Sequence, residues 1–157
     1  FFTVYGPWGR PDMAPMLFAD AITSGKPIKV FNQGDMSRDF TFIDDIVEGI
    51  LRIADKVPQK QMDWTVEEGS AATSSAPYRI YNIGNGCPVR LLDFISELED
   101  ALGRKAEKVM LPIQDGDVQA TWADTQDLFS AVGYKPQIGI SEGVKAFAEW
   151  FKGYYKA

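Results

Sequence analysis

Apolar residues recur at helical spacing in separate stretches of this sequence and alternate at strand spacing only in short runs between them. That limits the fold to a mixed one with few, short strands. The clearest helix is Leu91 to Leu102, where Leu91, Phe94, Ile95, Leu98 and Leu102 share one face and Gly103 supplies the stop. Met16, Leu17, Phe18, Ala21 and Ile22 predict another, ended by Gly25 and Pro27. A third runs through Ile46, Val47, Ile50, Leu51 and Ile53, with Asp44 or Asp45 at its cap or first turn. Thr125 to Ala131 reads as a short helix capped by Asp124 and ended by Gly133. Ser141 caps a last helix whose face is Val144, Phe147, Ala148 and Phe151. The strand-like runs are Phe1–Tyr5, Ile28–Phe31, Arg38–Phe42, Arg79–Ile83 and Val109–Leu111.

Residues 55–78 are polar, rich in Ser, Ala and Gly, and aperiodic, which predicts a long mobile loop. Only a short stretch precedes it, so it reads as an excursion within one unit spanning 1–157. The whole pattern suits a small α+β unit better than a complete doubly wound sheet. Phe1–Tyr5 is a buried-looking strand without a preceding turn or cap, so the chain reads as cut from a longer domain at its N-terminus.

Composition removes several classes of function. A net charge of −6 argues against a nucleic-acid partner, although a few arginines could still hold a small anion. No apolar run approaches the roughly 20 residues of a membrane span, and the opening FFTVYGPWGRP lacks the features of a signal peptide. A cytoplasmic location without membrane contact is expected. A single cysteine, Cys87, excludes an internal disulfide and multi-cysteine metal sites. With no histidine, the Ser-His-Asp and Cys-His nucleophile systems are absent, as is nearly all zinc chemistry. Any chemistry must use carboxylates, Arg, Lys, Tyr or a cofactor.

Gly84-Asn85-Gly86 follows a strand-like run and precedes a helix, as a dinucleotide fingerprint does. The third glycine position is Val89, however, and Pro88 withholds an N–H from the loop, so an Asn-Gly turn is the better reading. Arg38 lies beside Asp39, which alone reads as a surface ion pair. Arg10 sits in a stiff Gly-Pro-Trp-Gly-Arg-Pro loop. Together the two arginines offer forked donors of the kind that clamp a pyrophosphate. Gly116-Asp117 reads either as a turn or as a carboxylate placed to accept both hydroxyls of a ribose. Trp122, Trp150, Phe151, Tyr154 and Tyr155 read as core and C-terminal packing. Cys87 has no cationic neighbour in sequence and receives no role.

The segments FFTVYGPWGRPDM, GKPIKVFNQGDMSRDFTFIDDIVEGI, TSSAPYRIYNIGN, LLDFISELEDALG and LPIQDGDVQATWAD resemble the C-terminal portion of UDP-glucuronate 4-epimerases. These belong to the NAD-dependent epimerase/dehydratase group of extended short-chain dehydrogenase/reductase enzymes. The likeness covers essentially the whole chain. It implies a small substrate-binding domain whose NAD-holding Rossmann half is absent from this sequence. It also implies an activity in which NAD oxidises C4 of a UDP-sugar and returns hydride to the other face. The family's Tyr-x-x-x-Lys is missing here, because no tyrosine is followed four positions later by lysine. The resemblance therefore predicts no catalytic residue in this piece, no metal, and an inactive, mostly monomeric fragment of an enzyme that dimerises when whole.

Carried over by position, Phe2 approaches the nicotinamide and Thr3 the sugar or its carboxylate. Lys29, Val30 and Phe31 resemble the uracil-side strand, Arg38 the phosphate-binding arginine, and Asp117 the ribose-binding carboxylate. Arg10 reaches the diphosphate from the other side. Gln114 stands where many wider epimerases carry a second phosphate arginine, a feature shared by the glucuronate group. A UDP-glucuronate decarboxylase or a nucleotide-sugar 4,6-dehydratase on the same scaffold is the alternative enzyme. A non-catalytic nucleotide-sugar binding or interaction module is the alternative outside enzymes.

Overall fold

A computed structural model describes residues 1–156, and its helices follow the local signals closely. The helices are α1 (Ala14–Ser24), α2 (Ile43–Ala54), α3 (Leu91–Leu102), α4 (Gln126–Val132) and α5 (Ile140–Tyr155). Gly25, Gly103 and Gly133 end α1, α3 and α4 in the left-handed region, where a residue without Cβ is least strained. Asp44 and Asp45 lie in the first turn of α2, whose cap is Phe42, and the other two predicted side-chain caps behave differently. Asp124 lies one residue before the α4 cap, yet its Oδ1 accepts the Gln126 N–H at 3.1 Å. Ser141 lies inside α5, whose cap is Gly139, with no side-chain cap bond.

Among the described residues, six short strands pair two by two. Strand β1 (Thr3–Tyr5) runs parallel to β4 (Phe40–Phe42), and β2 (Ile28–Val30) runs parallel to β6 (Lys108–Met110). Strand β3 (Ser37–Arg38) pairs antiparallel with β5 (Val89–Arg90). The architecture is thus a small mixture of helices and strands. The run Arg38–Phe42 is two strands, broken at Asp39, and Phe31 has left β2 for a turn, Phe31–Gly34, in which Asn32 and Gln33 are left-handed.

Arg79–Ile83 corrects the sequence reading, because it forms no strand. A β-type run needs a partner edge, and this one has only an isolated bridge, Thr73 to Arg79, with Ile80 N–H donating to the Ala72 carbonyl at 2.9 Å. Residues 55–78 contain no helix and no strand beyond that bridge.

The main core gathers α1, α3 and α5 around β1 and β4. Phe94 is fully buried and stacks on Phe40 at 4.2 Å, while Tyr5 meets both rings edge-on. A smaller cluster of Ile46, Ile83, Leu128 and Tyr134 joins α2 to α4. Among the aromatics predicted as packing, Phe151 is buried, but Trp122, Tyr154 and Tyr155 are exposed. Tyr154 stacks on Trp150 at the surface, and both lie close to exposed Trp8.

Two glycines of α5 give opposite expectations. At Gly143 an added methyl would fall on the Tyr5 hydroxyl and reach the Phe42 ring at 3.0 Å, whereas at Gly153 nothing lies within 4 Å. Gly153→Ala should therefore gain about 0.5–1 kcal/mol of helix propensity. Gly143→Ala should instead lose about 1–2 kcal/mol to overpacking. Denaturant midpoints of the two variants, measured against the parent chain, check the pair.

Candidate functional site

A cleft of about 530 Å³ opens between the β1–β4 pair, α1, β2 and the 114–117 turn. One wall is apolar, formed by Leu17, Phe18, Ile28, Phe31, Met36 and Phe40. The polar groups facing it are Thr3, Asp12, Lys29, Arg38, Gln114 and Asp117. A largely apolar hollow with a few convergent polar side chains is the usual form of a small-molecule site.

The centre of the polar side is one ion pair. Arg38 Nη2 lies 2.7 Å from Asp117 Oδ1, and the two side chains are only 17% and 31% exposed. Arg38 Nη1 donates to the Ser37 carbonyl at 2.9 Å and the Gln119 carbonyl at 3.2 Å, which fixes the plane of the guanidinium. The turn opposite is fixed too. Asp117 N–H donates to the Gln114 carbonyl at 3.1 Å, Gly116 takes φ 81, and Asp117 Oδ1 accepts the Val118 N–H at 2.9 Å. A forked cation and a carboxylate held rigidly side by side can bind a ligand that carries both an anionic group and vicinal hydroxyls. Lys29 projects from the exposed face of β2 and has no ion pair among the described residues, so it adds free positive charge at the rim.

The structure gathers Thr3, Lys29, Phe31, Arg38, Gln114 and Asp117 on this cleft and leaves the other candidates outside it. Val30 is fully buried, so its side chain supports β2 from within the core. Phe2 is exposed and does not line the hollow. Arg10 is also outside. Its guanidinium holds Asp12 through Nε at 3.1 Å and Nη2 at 2.5 Å, with side chains 72% and 64% exposed. The hydrogen bond from Arg10 keeps the Asp12 carboxyl below the usual carboxylate range. Asp12 itself lines the cleft and was missed in the sequence, although it stands two positions after Arg10 in the same loop.

Arg38 and Asp39 are not partners. Successive strand residues point to opposite sides, and Asp39 turns inward, fully buried. There its carboxylate accepts the N–H groups of Asn85 at 3.1 Å and Gly86 at 3.0 Å. The Asn85 and Gly86 amides, which a dinucleotide phosphate would need, are thus already taken by an internal carboxylate. With Pro88 lacking an N–H, this loop does not fit an NAD pyrophosphate. Among the described residues no cluster of His, Cys, Asp and Glu could hold a metal ion, and no helix is long and apolar enough to cross a membrane.

The chain is similar to known proteins over nearly its whole length. The chain is 46% identical to a probable UDP-glucuronate 4-epimerase of Rhizobium meliloti, over 99% of this chain and 46% of that protein. It is 42% identical to UDP-glucuronate 4-epimerase 5 of Arabidopsis thaliana, over 99% of this chain and 35% of that one. The chain spans about half the length, or less, of the curated relatives it matches. A crystal structure of UDP-glucuronic acid 4-epimerase from Bacillus cereus, in complex with UDP-glucuronic acid and NAD, superposes with a TM-score of 0.79. It is 31% identical, over 98% of this chain and 44% of that chain. Residues 1–84, more than half of the sequence, match the family signature itself, and the chain belongs to the NAD dependent epimerase/dehydratase family.

Proposed function

We propose that this chain forms the substrate side of a UDP-sugar 4-epimerase that interconverts UDP-glucuronate and UDP-galacturonate. The observation that carries the reading is the Arg38–Asp117 pair, held rigid in an apolar-walled cleft beside Thr3, Lys29 and Gln114. In this reading Arg38 binds the diphosphate and Asp117 turns from Arg38 toward the ribose hydroxyls. Phe31 and the Lys29–Val30 strand face the uracil, Thr3 faces the sugar, and Gln114 holds the turn that presents Asp117. Arg10 leaves Asp12 to reach the anionic end of the ligand, and Phe2 stands toward the cofactor side. Relatives are similar to this chain and hold NAD, as the Bacillus cereus complex does. NAD supplies the hydride chemistry, and we place its binding, with the general base, on residues outside this sequence. The whole enzyme is proposed to be a cytoplasmic homodimer.

Product analysis of the full-length protein tests the reading. Incubated with UDP-glucuronate and NAD, it should yield UDP-galacturonate by NMR. Loss of carbon dioxide would mark a decarboxylase, loss of water from UDP-glucose, whose C6 hydroxyl can leave, would mark a 4,6-dehydratase, and no turnover of either sugar a binding module. The isolated 157-residue chain should be inactive, since it has no Tyr-x-x-x-Lys, and epimerisation by that chain alone would overturn the assignment of catalysis elsewhere.

A further inference from the structure

The buried carboxylate of Asp39 ties together the two segments that carry the ligand pair. Besides Asn85 and Gly86, it accepts the Ala123 N–H on Oδ2 at 2.8 Å. Asn85 N–H is shared with the Thr41 hydroxyl at 2.9 Å. Ala123 ends the 117–123 segment, and that segment runs alongside β3. Ser37 N–H donates to the Gln119 carbonyl at 2.8 Å, and Thr121 N–H donates to the Ser37 carbonyl at 3.2 Å. Ser37 and Ala120 form a parallel bridge. Two segments lie side by side, β3 with Asp39 directly after it and the stretch from Asp117 to Ala123. The Asp39–Ala123 bond closes their far end, and the Arg38–Asp117 pair closes the near one. Gly84 lies against the same joint, where a Cβ would meet the Ala123 methyl at 2.7 Å and Asp39 Oδ2 at 3.0 Å.

We propose that Asp39 is a positioning residue for nucleotide binding: it fixes the register of the 117–123 segment against β3 and so sets the spacing of Arg38 and Asp117. The inference rests on the proposed role of that pair as the diphosphate and ribose site. A side chain with three backbone donors converging on it cannot move without releasing both segments, so its effect should reach the cleft through Arg38.

The test is a double-mutant cycle in the full-length protein, with the dissociation constant for UDP measured by calorimetry. Asp39→Asn replaces one acceptor oxygen by an NH₂ that faces N–H donors, and UDP should bind on the order of 10-fold more weakly, within the range for coupled neighbours. In an Arg38→Ala background the same substitution should cost almost nothing further. A merely structural role would give additive losses instead, and additivity would overturn the proposal. Near-UV circular dichroism confirms the fold of each variant. If Asp39→Asn does not fold, Gly84→Ala serves in its place, since its methyl presses on both Ala123 and the Asp39 carboxylate without removing an acceptor oxygen, and the same non-additivity is required of it. An Arg38→Ala variant that binds UDP as tightly as the parent would sink the ligand-site reading itself. Weak binding by Arg38→Ala with additive Asp39 losses would sink only the positioning role.

Discussion

Arg38→Ala is expected to weaken UDP-sugar binding to the full-length protein by about 1.5–3 kcal/mol, the range for hydrogen bonds to charged groups. Two features of the cleft place the loss toward the upper end. The guanidinium is only 17% exposed, so solvent screens it poorly, and its Nη1 is anchored by two carbonyls, so little side-chain entropy is spent when it meets a phosphate. Its removal also strips Asp117 of its cation and leaves an uncompensated carboxylate facing an anionic ligand, a cost of the kind seen when one partner of a close charge pair is deleted. Arg38→Lys should recover only part of the loss, because a point charge cannot reproduce the fork. Arg10→Ala should cost less, since that arginine sits at a solvent-exposed rim and must first leave Asp12. Calorimetric titration with UDP at one fixed salt concentration ranks the three variants. An unchanged constant for Arg38→Ala would remove this residue from the site.

The contrast between Arg38 and Arg10 shows what the sequence makes legible. Helices are written in local signals, and Leu91–Leu102 ends at Gly103 as its periodicity demands because both the apolar face and the left-handed stop lie within one segment. Strands depend on a distant edge. Arg79–Ile83 has strand composition, but no strand lies beside it, and no local pattern reports that absence. The resemblance supplied residue types for the site, and Thr3, Lys29, Phe31, Arg38, Gln114 and Asp117 meet at one cleft although they come from separate segments. Their pairing was not legible. Arg38 finds its carboxylate 79 positions away, while its neighbour Asp39 is turned inward to backbone donors. Strand alternation implies that two adjacent residues face opposite ways, yet it does not say what either one meets. Arg10 fell outside the cleft for a local reason, because Asp12 two residues on captures its fork. The buried carboxylates Asp39 and Asp45 went unread as structural groups for the same reason as the strand. Their partners lie 46 to 93 residues away, and an acidic residue near a strand or helix start looks like a cap.

Asp45→Ala should be strongly destabilising, at about 2–5 kcal/mol. Asp45 is buried in the first turn of α2, where Oδ1 accepts the Tyr134 hydroxyl at 2.8 Å and the Gln137 N–H at 3.0 Å, and Oδ2 accepts the Ile138 N–H at 2.9 Å. Alanine leaves the Gln137 and Ile138 N–H groups without an acceptor, at roughly 1–3 kcal/mol for each one that water cannot reach, and leaves the Tyr134 hydroxyl only the residue-45 carbonyl at 3.1 Å. It also frees the segment that leads into α5 from α2. Asp45→Asn should cost less, because it keeps the side-chain volume and one acceptor oxygen. Urea unfolding separates the two variants, and a loss below about 1 kcal/mol for Asp45→Ala would show that water replaces the carboxylate. A second signature should accompany the first. Burial, and then the hydrogen bond to Asp45, push the Tyr134 phenol well above its ordinary value of about 10. The folded protein therefore keeps this proton where the unfolded chain has lost it, so the associated stability is complete below about pH 10 and declines as pH rises beyond it. Removing Asp45 leaves burial but takes away the bond and the neighbouring charge, so Tyr134 should ionise at a lower pH than in the parent protein, read from phenolate absorbance. Tyr5, whose phenol is raised by burial first and by the Asp45 and Glu142 charges second, should shift in the same direction by less. Tyrosine ionisation unchanged by the substitution would mean that burial alone holds both protons.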